Sequence, residues 1–479
     1  MSHRGRGAAL PCAAVLIGAG LLAPPTASAH GLTQRADLPI PEWLFAWAAA
    51  IVLVASFAAL AALWPTPRLQ EDRFRPLAGG RVLTSRAVEV VAGVVGVALL
   101  VLTIWSGLAG SQGAQDNFAP TFVYVIFWVG LVFSSLLFGD VFRALSPWRA
   151  VARASGWLVT RARGGRAHTH RPYPEKLGRW PAALAILLFT WTELVGRYGD
   201  HPNRIAICAL LYSAVTLAGM AVYGADRWHE RGEGFGVYFN LFSRLSPLER
   251  RGDRLGVRPV LGGLPRLDTV PGTVAVVAVM IGTVTFDGLS QGPLWRETIQ
   301  PALHDLFTGI GVGLEAATTL ADTVGLIAGP LLIGGFYALG ISGAESVGGG
   351  YTAERLRRAF VHSLVPIALV YAMAHYFTAL VFQGQAIGYL ASDPLGHGWD
   401  LFGTATAAID YSLLSQNLTW YLQVGFVIAG HVAALVLAHD RALALYGDPR
   451  QAVRSQYWML GIMVGFTSLA LWLLASLNN

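Results

Sequence analysis

The chain has 479 residues, of which 54% are hydrophobic and only 13% are charged. A soluble domain carries about a quarter charged residues, so this chain cannot coat a water-soluble globule and must use lipid as part of its solvent. The formal net charge of +6 does not indicate nucleic-acid binding, because the basic residues lie in loops between apolar runs, where they orient a membrane protein.

The N-terminus has the three parts of a secretory signal peptide: a basic start, an apolar run, and the small residues Ala27 and Ala29 before a cleavage point. We therefore predict a signal peptide over 1–29 and a single transmembrane domain over 30–479, with an uncleaved first helix as the alternative. Cleavage would make His30 the N-terminal residue. Its α-amine and imidazole can together chelate a metal ion, copper especially.

Ten apolar runs follow, each close to the roughly 20 residues that cross the hydrocarbon core as a helix at about 1.5 Å per residue. They lie at about 42–64, 87–108, 118–139, 181–198, 204–224, 268–288, 313–341, 360–383, 418–439 and 456–476. The predicted fold is all-α, a polytopic transmembrane helix bundle of about ten spans after the signal peptide.

The arginines between the runs test this count. With the mature N-terminus outside, all five predicted cytoplasmic loops contain arginine, whereas the outside loops 109–117 and 384–416 contain no lysine or arginine. A wrong helix count would have inverted half of the loops. We therefore predict a multi-pass plasma-membrane protein with both mature termini extracytoplasmic.

Two long loops that are predicted to be cytoplasmic, 140–179 and 225–267, contain a similar sequence motif. In each, a serine that can cap a helix precedes a proline suited to the first helical position; the pairs are Ser146-Pro147 and Ser246-Pro247. Both pairs predict an amphipathic, basic helix along the inner membrane surface. In the first helix, aromatic and apolar side chains would dip into the headgroups, namely Trp148, Trp157 and Leu158.

Ionisable side chains inside apolar runs are costly, so each one is a functional hypothesis. In the predicted orientation several fall in the outer half of the membrane, with His431 at mid-depth beneath them, which predicts an outward-opening cavity of carboxylates and imidazoles. The catalytic candidates are His375, His431, Glu193 and Asp287. The candidate ligands of a divalent ion such as copper or zinc are His30, His375, His431 and Asp322. The alternatives are that a lone histidine is a hydrogen-bonding strut between helices, and that Glu193 pairs with Arg197 one turn later.

Several stretches resemble a set of bacterial, mainly actinobacterial, membrane proteins that are commonly labelled fenitrothion hydrolase. These stretches are His30-Gly31-Leu32, Ser146-Pro147-Trp148-Arg149, Ala374-His375-Tyr376-Phe377, Phe382-Gln383-Gly384-Gln385 and Ala438-His439-Asp440-Arg441. The similarity covers most of the chain. It implies hydrolysis of an organophosphorus triester to a nitrophenol, but it brings no established catalytic residues. An apolar triester would partition into the bilayer, which makes a site within the membrane physically sensible.

Three hypotheses follow for the function. The first is a membrane-embedded phosphotriester hydrolase with an outward-facing histidine and carboxylate site. The second is a proton-coupled or small-solute transporter that uses the same groups. The third is a membrane protein that handles copper or zinc through His30 and the outer cluster. The partners expected in each case are the lipid bilayer and a small ligand, with an apolar or organophosphorus substrate for the hydrolase.

Overall fold

The computed structural model describes residues 42–476 apart from 167–168 and 197–198. The predicted signal peptide, His30 and Arg197 therefore lie outside the described residues. The chain is 71% helical with almost no strand, as the composition and the apolar runs predicted.

A long helix stands at each of the ten predicted apolar runs. We number these helices α1 (Glu42–Leu63), α2 (Arg86–Ala109), α3 (Phe118–Phe138), α4 (Trp180–Leu194), α5 (Pro202–Tyr223), α6 (Thr273–Gln291), α7 (Leu314–Ser346), α8 (Val365–Val381), α9 (Gln416–Tyr446) and α10 (Tyr457–Ser476). Helix α3 is wound as a wider π-helix over Thr121–Gly130.

Short helices connect the long ones, and a small sheet accompanies them. The short helices are Gly80–Leu83, Val141–Leu145, Pro147–Ala162, Ala225–Arg231, Gly234–Ser243, Leu294–Ile299, Gln300–Gly309, Ala353–Phe360, Val361–Leu364, Gln383–Ala386, Ile387–Ser392 and Pro449–Ser455. The strands are β1 (Arg75–Pro76), β2 (Leu248–Arg251) and β3 (Arg254–Val257), and β3 pairs antiparallel with both of the others.

The helices fit a membrane by length, composition and outward surface. Within the described residues, seven helical segments are long and apolar enough to cross a bilayer, and two shorter apolar helices accompany them. Large apolar side chains are exposed on the outside of the bundle, among them Val94, Leu211, Val215 and Leu331. Contiguous apolar surface of this kind needs lipid or a partner to cover it. The architecture is therefore compatible with that of a helical membrane protein.

The connections gather at two ends of the bundle. At the end that we call the basic end, β1 pairs with β3, and Glu89 at the start of α2 accepts from Arg153 and Arg250. At the opposite end, the Ser111 amide donates to the Leu395 carbonyl at 2.7 Å. The arginine-rich loops thus share one end and the arginine-free loops share the other, as their alternation along the sequence requires.

An ion-pair network binds the loops of the basic end together. The carboxylate of Asp226 accepts from Arg149 at 2.8 Å, from Arg143 at 3.2 Å and from Arg153 at 3.3 Å. Burial would raise the pKa of Asp226, but the three guanidinium groups, with Arg149 foremost, outweigh burial and lower the pKa to about 2. Many arginines at this end are therefore neutralised within the protein, so their number alone does not describe an anion-binding surface.

The first serine-proline pair begins a helix as predicted, but its tryptophan lies elsewhere. Ser146 caps Pro147–Ala162 by accepting from the Arg149 amide, and Trp157 and Leu158 are exposed. Trp148 is buried, and its Nε1 donates to Ser213 Oγ at 2.8 Å. The prediction that Trp148 dips into the headgroups is therefore wrong, because the first turn of this helix packs inside the bundle.

The second serine-proline pair does not begin a helix. Ser246 Oγ accepts from the Leu248 amide at 3.0 Å, which closes a turn. The chain then runs into the β2–β3 hairpin, which reverses at Gly252 with φ 59°, a backbone conformation that favours glycine. The predicted amphipathic helix after Pro247 is therefore wrong, because pairing with a distant segment, Arg75–Pro76, favours extended backbone here.

A short buried helix also lies within the segment that was predicted to be wholly cytoplasmic. Nine of the ten residues of Gly234–Ser243 are buried, and Phe235 and Phe239 pack against Phe127 of α3. Glu233 caps the helix by accepting from the backbone amides of Phe235 at 2.9 Å and Gly236 at 2.6 Å. The cap satisfies amides that have no partner within the helix, which permits the helix to begin inside the bundle.

Helix α6 is the most enclosed of the long helices and positions the candidate site. Thirteen of its 19 residues are buried. It approaches α7 so closely that a Cβ at Gly282 would lie 2.2 Å from the Pro330 nitrogen, so only glycine fits at that crossing. Helices α4 and α8 pack on its other sides, which brings ionisable groups from three helices toward one region.

Asp440, near the basic end of α9, anchors the segment after α1. This carboxylate is fully buried. It accepts from Trp64 Nε1 at 3.2 Å, from the Leu69 amide at 3.1 Å and from Gln70 Nε2 at 2.6 Å, and the Arg68 amide also donates to it. A carboxylate has enough acceptor sites for all four donors, so Asp440 fixes the path of the chain between α1 and β1.

We expect Asp440→Asn to destabilise the fold by about 1–3 kcal/mol, because the amide presents a donor where the carboxylate accepts and leaves buried donors without a partner. The measurement is denaturant unfolding of the purified chain in detergent micelles. The matched control is Asp305→Asn, whose side chain is 85% exposed, and it should stay within about 0.5 kcal/mol of the wild type. Equal effects of the two substitutions would contradict the anchoring role.

Candidate functional site

The candidate site is built around Asp287, four residues before the end of α6 in a stretch Asp287-Gly288-Leu289-Ser290. The carboxylate is 1% exposed. Its Oδ2 lies 2.9 Å from His375 Nε2 and accepts from the Tyr376 hydroxyl at 2.8 Å. The two partners are consecutive residues of α8, so one carboxylate joins α6 to α8. A buried charge requires this kind of pairing, because an unpaired ion in an apolar interior is very costly.

The hydrogen bond to Asp287 also fixes the state of the imidazole. A neutral ring that bonds to a carboxylate through Nε2 carries its proton there, which leaves the lone pair on Nδ1. Gly288 lies beside this nitrogen, and a Cβ built on Gly288 would be 3.9 Å from Nδ1. The glycine therefore keeps the space next to the basic nitrogen open, and His375 has the orientation of a general base held by an acid.

Glu193 reaches the same region from α4. It interacts electrostatically with Asp287 and with Tyr376. Its Oε2 is buried and has no hydrogen-bond partner among the described residues. Of the four residues predicted to be catalytic, Asp287 and His375 are therefore in hydrogen-bond contact, and Glu193 interacts with Asp287 electrostatically. Arg197, the alternative partner for Glu193, lies outside the described residues.

His431, the fourth predicted catalytic residue, faces a different place. It is 3% exposed, and its Nδ1 lies 2.7 Å from the Val427 carbonyl oxygen of its own helix. It lines a crevice with Thr285 and Tyr371, while the neighbouring Gly430 packs against Val370 of α8. His431 therefore lies near the level of Tyr371, about one helical turn deeper than His375, and none of the described carboxylates bonds to it.

Asp322, predicted as a metal ligand, has a structural role in α7. Its Oδ1 accepts from Trp295 Nε1 at 3.0 Å and from Gln300 Nε2 at 2.8 Å, which holds the connection between α6 and α7 against the bundle. Within the part of the chain that the structure describes, no three histidine, cysteine, aspartate or glutamate side chains are grouped to hold a metal ion. The predicted set of His375, His431 and Asp322 is therefore not assembled, and His30 lies outside the described residues.

Two features of the site were missing from the sequence analysis. Tyr376 was not a candidate, although it directly follows His375 and donates to the same carboxylate oxygen. The stretch Gly288–Gly292 also contains a Gly-x-Ser-x-Gly pattern around Ser290. That pattern serves a nucleophile between a strand and a helix, whereas here it ends α6, and Ser290 Oγ donates to the Asp287 carbonyl oxygen at 2.8 Å.

The fold and the site define a class: a helical bundle with helices long and apolar enough to cross a membrane, in which an aspartate–histidine–tyrosine cluster joins two long helices. Comparison with protein-family models, with curated proteins and with solved structures gives no match. The function must therefore be inferred from the geometry of this chain and from the resemblance noted in its sequence.

The geometry predicts which pairs of side chains are energetically coupled. In a double-mutant cycle, Asp287→Asn and His375→Gln should show a coupling of about 1–3 kcal/mol in unfolding free energy, because they share a buried hydrogen bond to a charged group. Asp287→Asn and His431→Gln should add within about 0.5 kcal/mol, because they do not share a partner. Coupling of the same size for both pairs would contradict the separation of His375 from His431.

Proposed function

We propose that this chain is a ten-span membrane protein that hydrolyses an apolar ester within the half of the bundle away from the basic end, with His375 as general base. The class of substrate that the resemblance implies is an organophosphorus triester. The single observation that carries the proposal is the 2.9 Å contact between Asp287 Oδ2 and His375 Nε2. An acid that orients a histidine and stabilises its protonated form is a recurring device of hydrolases.

The proposed topology places the basic end in the cytoplasm and the His375 site in the extracytoplasmic half. The support is the arginine content of the loops at the basic end, together with the absence of lysine and arginine from residues 384–416 at the opposite end. With ten spans and a signal peptide removed after Ala29, both mature termini lie outside, in a bacterial plasma membrane.

This topology is tested with single cysteines and a membrane-impermeant maleimide on intact cells. The background is Cys208→Ser, which removes an exposed thiol. We expect His397→Cys, in an exposed loop of the opposite end, to be labelled without lysis. Gly164→Cys, in an exposed loop of the basic end, should be labelled only after lysis. The reverse pattern would place the site in the cytoplasmic half and overturn the layout.

In the proposed reaction, His375 Nδ1 takes a proton from a water molecule in the space beside Gly288 while the water oxygen forms a bond to phosphorus. The bond from phosphorus to the aryl oxygen breaks, and the aryloxide leaves with the bonding electron pair. Asp287 stabilises the imidazolium, which then releases its proton to the product or to water. Because the described side chains do not form a metal-ligand set, His375 itself is the proposed base.

The proposal predicts that His375→Ala and Asp287→Asn each lower kcat for nitrophenol release from a nitrophenyl triester by about 100-fold or more, the usual contribution of general acid–base catalysis. The assay uses the purified chain in lipid nanodiscs. The control is His397→Ala, whose side chain is exposed in a loop and which should keep the wild-type rate.

Gly288→Ala tests the proposed water position separately from the stability of the fold. An added Cβ meets no atom closer than 3.8 Å, so the fold should be kept while the space for the water beside Nδ1 is filled. We expect this variant to unfold like the wild type yet lose most of its activity. Release of nitrophenol by His375→Ala at the wild-type rate, or no release by the wild type, would sink the hydrolase proposal.

Glu193 favours a second candidate function, proton-coupled transport. Its buried Oε2 lacks a hydrogen-bond partner among the described residues and lies in the electrostatic field of Asp287. Two neighbouring carboxylates in a membrane interior can carry a proton between them. This candidate expects solute uptake into vesicles that depends on a proton gradient, is lost with Glu193→Gln and leaves the solute chemically unchanged.

A further inference from the structure

The crevice at His431 lies among five helices and is almost wholly apolar. Helices α6, α7, α8, α9 and α10 all contribute to its wall, and the space inside is about 90 Å³. Three of its residues, Phe336, Ile462 and Phe466, also line a groove of about 560 Å³ between α7 and α10. Beside this groove Trp458 is 62% exposed. The crevice is thus continuous with the outer side of the bundle, where exposed apolar side chains meet lipid.

Two polar side chains of the crevice wall each have an acceptor atom to which none of the described groups donates. At His431, the bond to the Val427 carbonyl requires the proton on Nδ1, because a carbonyl oxygen only accepts. The lone pair is therefore on Nε2, and none of the described groups donates to it. His431 is 97% enclosed, since it is only 3% exposed, so this acceptor can be satisfied only from within the crevice.

Gln456 supplies the second acceptor, at the end of the crevice nearest the basic end. Its Nε2 donates to the Ala452 carbonyl at 2.8 Å and lies 3.2 Å from His439 Nδ1. These two bonds fix the orientation of the amide. Gln456 Oε1 is then a buried acceptor without a partner among the described residues. An enclosed acceptor that lacks a donor costs about 1–3 kcal/mol, so an apolar crevice with such acceptors in its wall favours a ligand that brings a donor.

We propose that the His431 crevice binds a lipophilic alcohol or phenol that enters from the bilayer between α7 and α10 and donates its hydroxyl proton to His431 Nε2. The apolar wall accepts the body of such a molecule, and the acceptor inside selects a hydroxyl over an ether. Most small-molecule sites have this composition, with apolar walls and a few polar groups that fix orientation. The site is separate from the Asp287–His375 cluster and does not depend on the proposed hydrolysis.

The test compares 4-octylphenol with its methyl ether, which has the same apolar body but no donor. Binding of each radiolabelled probe is measured on the full chain in lipid nanodiscs, with empty nanodiscs to subtract partitioning into lipid. We expect the wild type to bind the phenol about tenfold more tightly than the ether, the size of one net hydrogen bond at the upper end of its usual range.

Two substitutions of one residue isolate the acceptor. His431→Phe keeps a ring of similar size but removes the acceptor, so the phenol should bind no better than the ether. His431→Gln keeps an acceptor and should retain part of the preference. His397→Ala, in an exposed loop, should leave it unchanged. Thermal unfolding of each variant with and without the phenol gives a second readout, because a ligand stabilises only a folded chain that binds it.

Equal binding of phenol and ether by the wild type would overturn the proposal. The crevice would then bind apolar molecules without selecting a hydroxyl. A preference for the phenol that persists in His431→Phe would also overturn it, since the hydroxyl would then donate to a group other than His431. Loss of the preference in His431→Phe while nitrophenol release continues would support the crevice as a site of its own. The same loss in a chain without hydrolase activity would support it equally, because the binding assay does not use turnover.

Discussion

The pairing of Asp287 with His375 and Tyr376 is the interaction on which the candidate site depends. A carboxylate 1% exposed within an apolar bundle is stable only if donors surround it. Here the donors His375 and Tyr376 come from one turn of α8, and Glu193 of α4 interacts electrostatically with the carboxylate. The same requirement is met differently at Glu233, which accepts from two backbone amides, and at Asp440, which accepts from two backbone amides and two side chains. Those two carboxylates fix the path of the backbone inside the bundle, whereas Asp287 accepts from side chains that can themselves exchange protons.

The long helices were predictable because the signal for each is local. A run of about 20 apolar residues has one structure available in lipid, and the helices begin and end within a few residues of most predicted runs. The largest differences lie at 418–439, where α9 continues to Tyr446, and at 313–341, where α7 continues to Ser346. The buried helix Gly234–Ser243 was missed because ten residues are too few for a span and a charged stretch precedes them. The hairpin after Pro247 was missed because its partner, Arg75–Pro76, is about 170 residues away.

The members of the candidate site could be predicted, but their grouping could not. Position along a helix follows from the sequence, so the sequence shows which helices carry these ionisable side chains and near which end. Their directions depend on the rotation of each helix about its axis, and one residue changes that direction by about 100°. His375 thus faces α6 and Asp287, while His431 faces the crevice and Asp322 faces Trp295 and Gln300. The residues that the sequence assigned to a single cavity therefore lie in three separate surroundings, each with different neighbouring side chains.

Tyr371 stands between two of these places. It precedes His375 by one turn of α8 and lines the crevice together with Thr285, two residues before Asp287. The Asp287–His375 pair has the groups for proton transfer but is enclosed by packed helices. The crevice has room and a path to lipid, but none of the described acids is hydrogen-bonded to its histidine. An apolar ester that enters the crevice from the bilayer would therefore approach the proposed base past Tyr371.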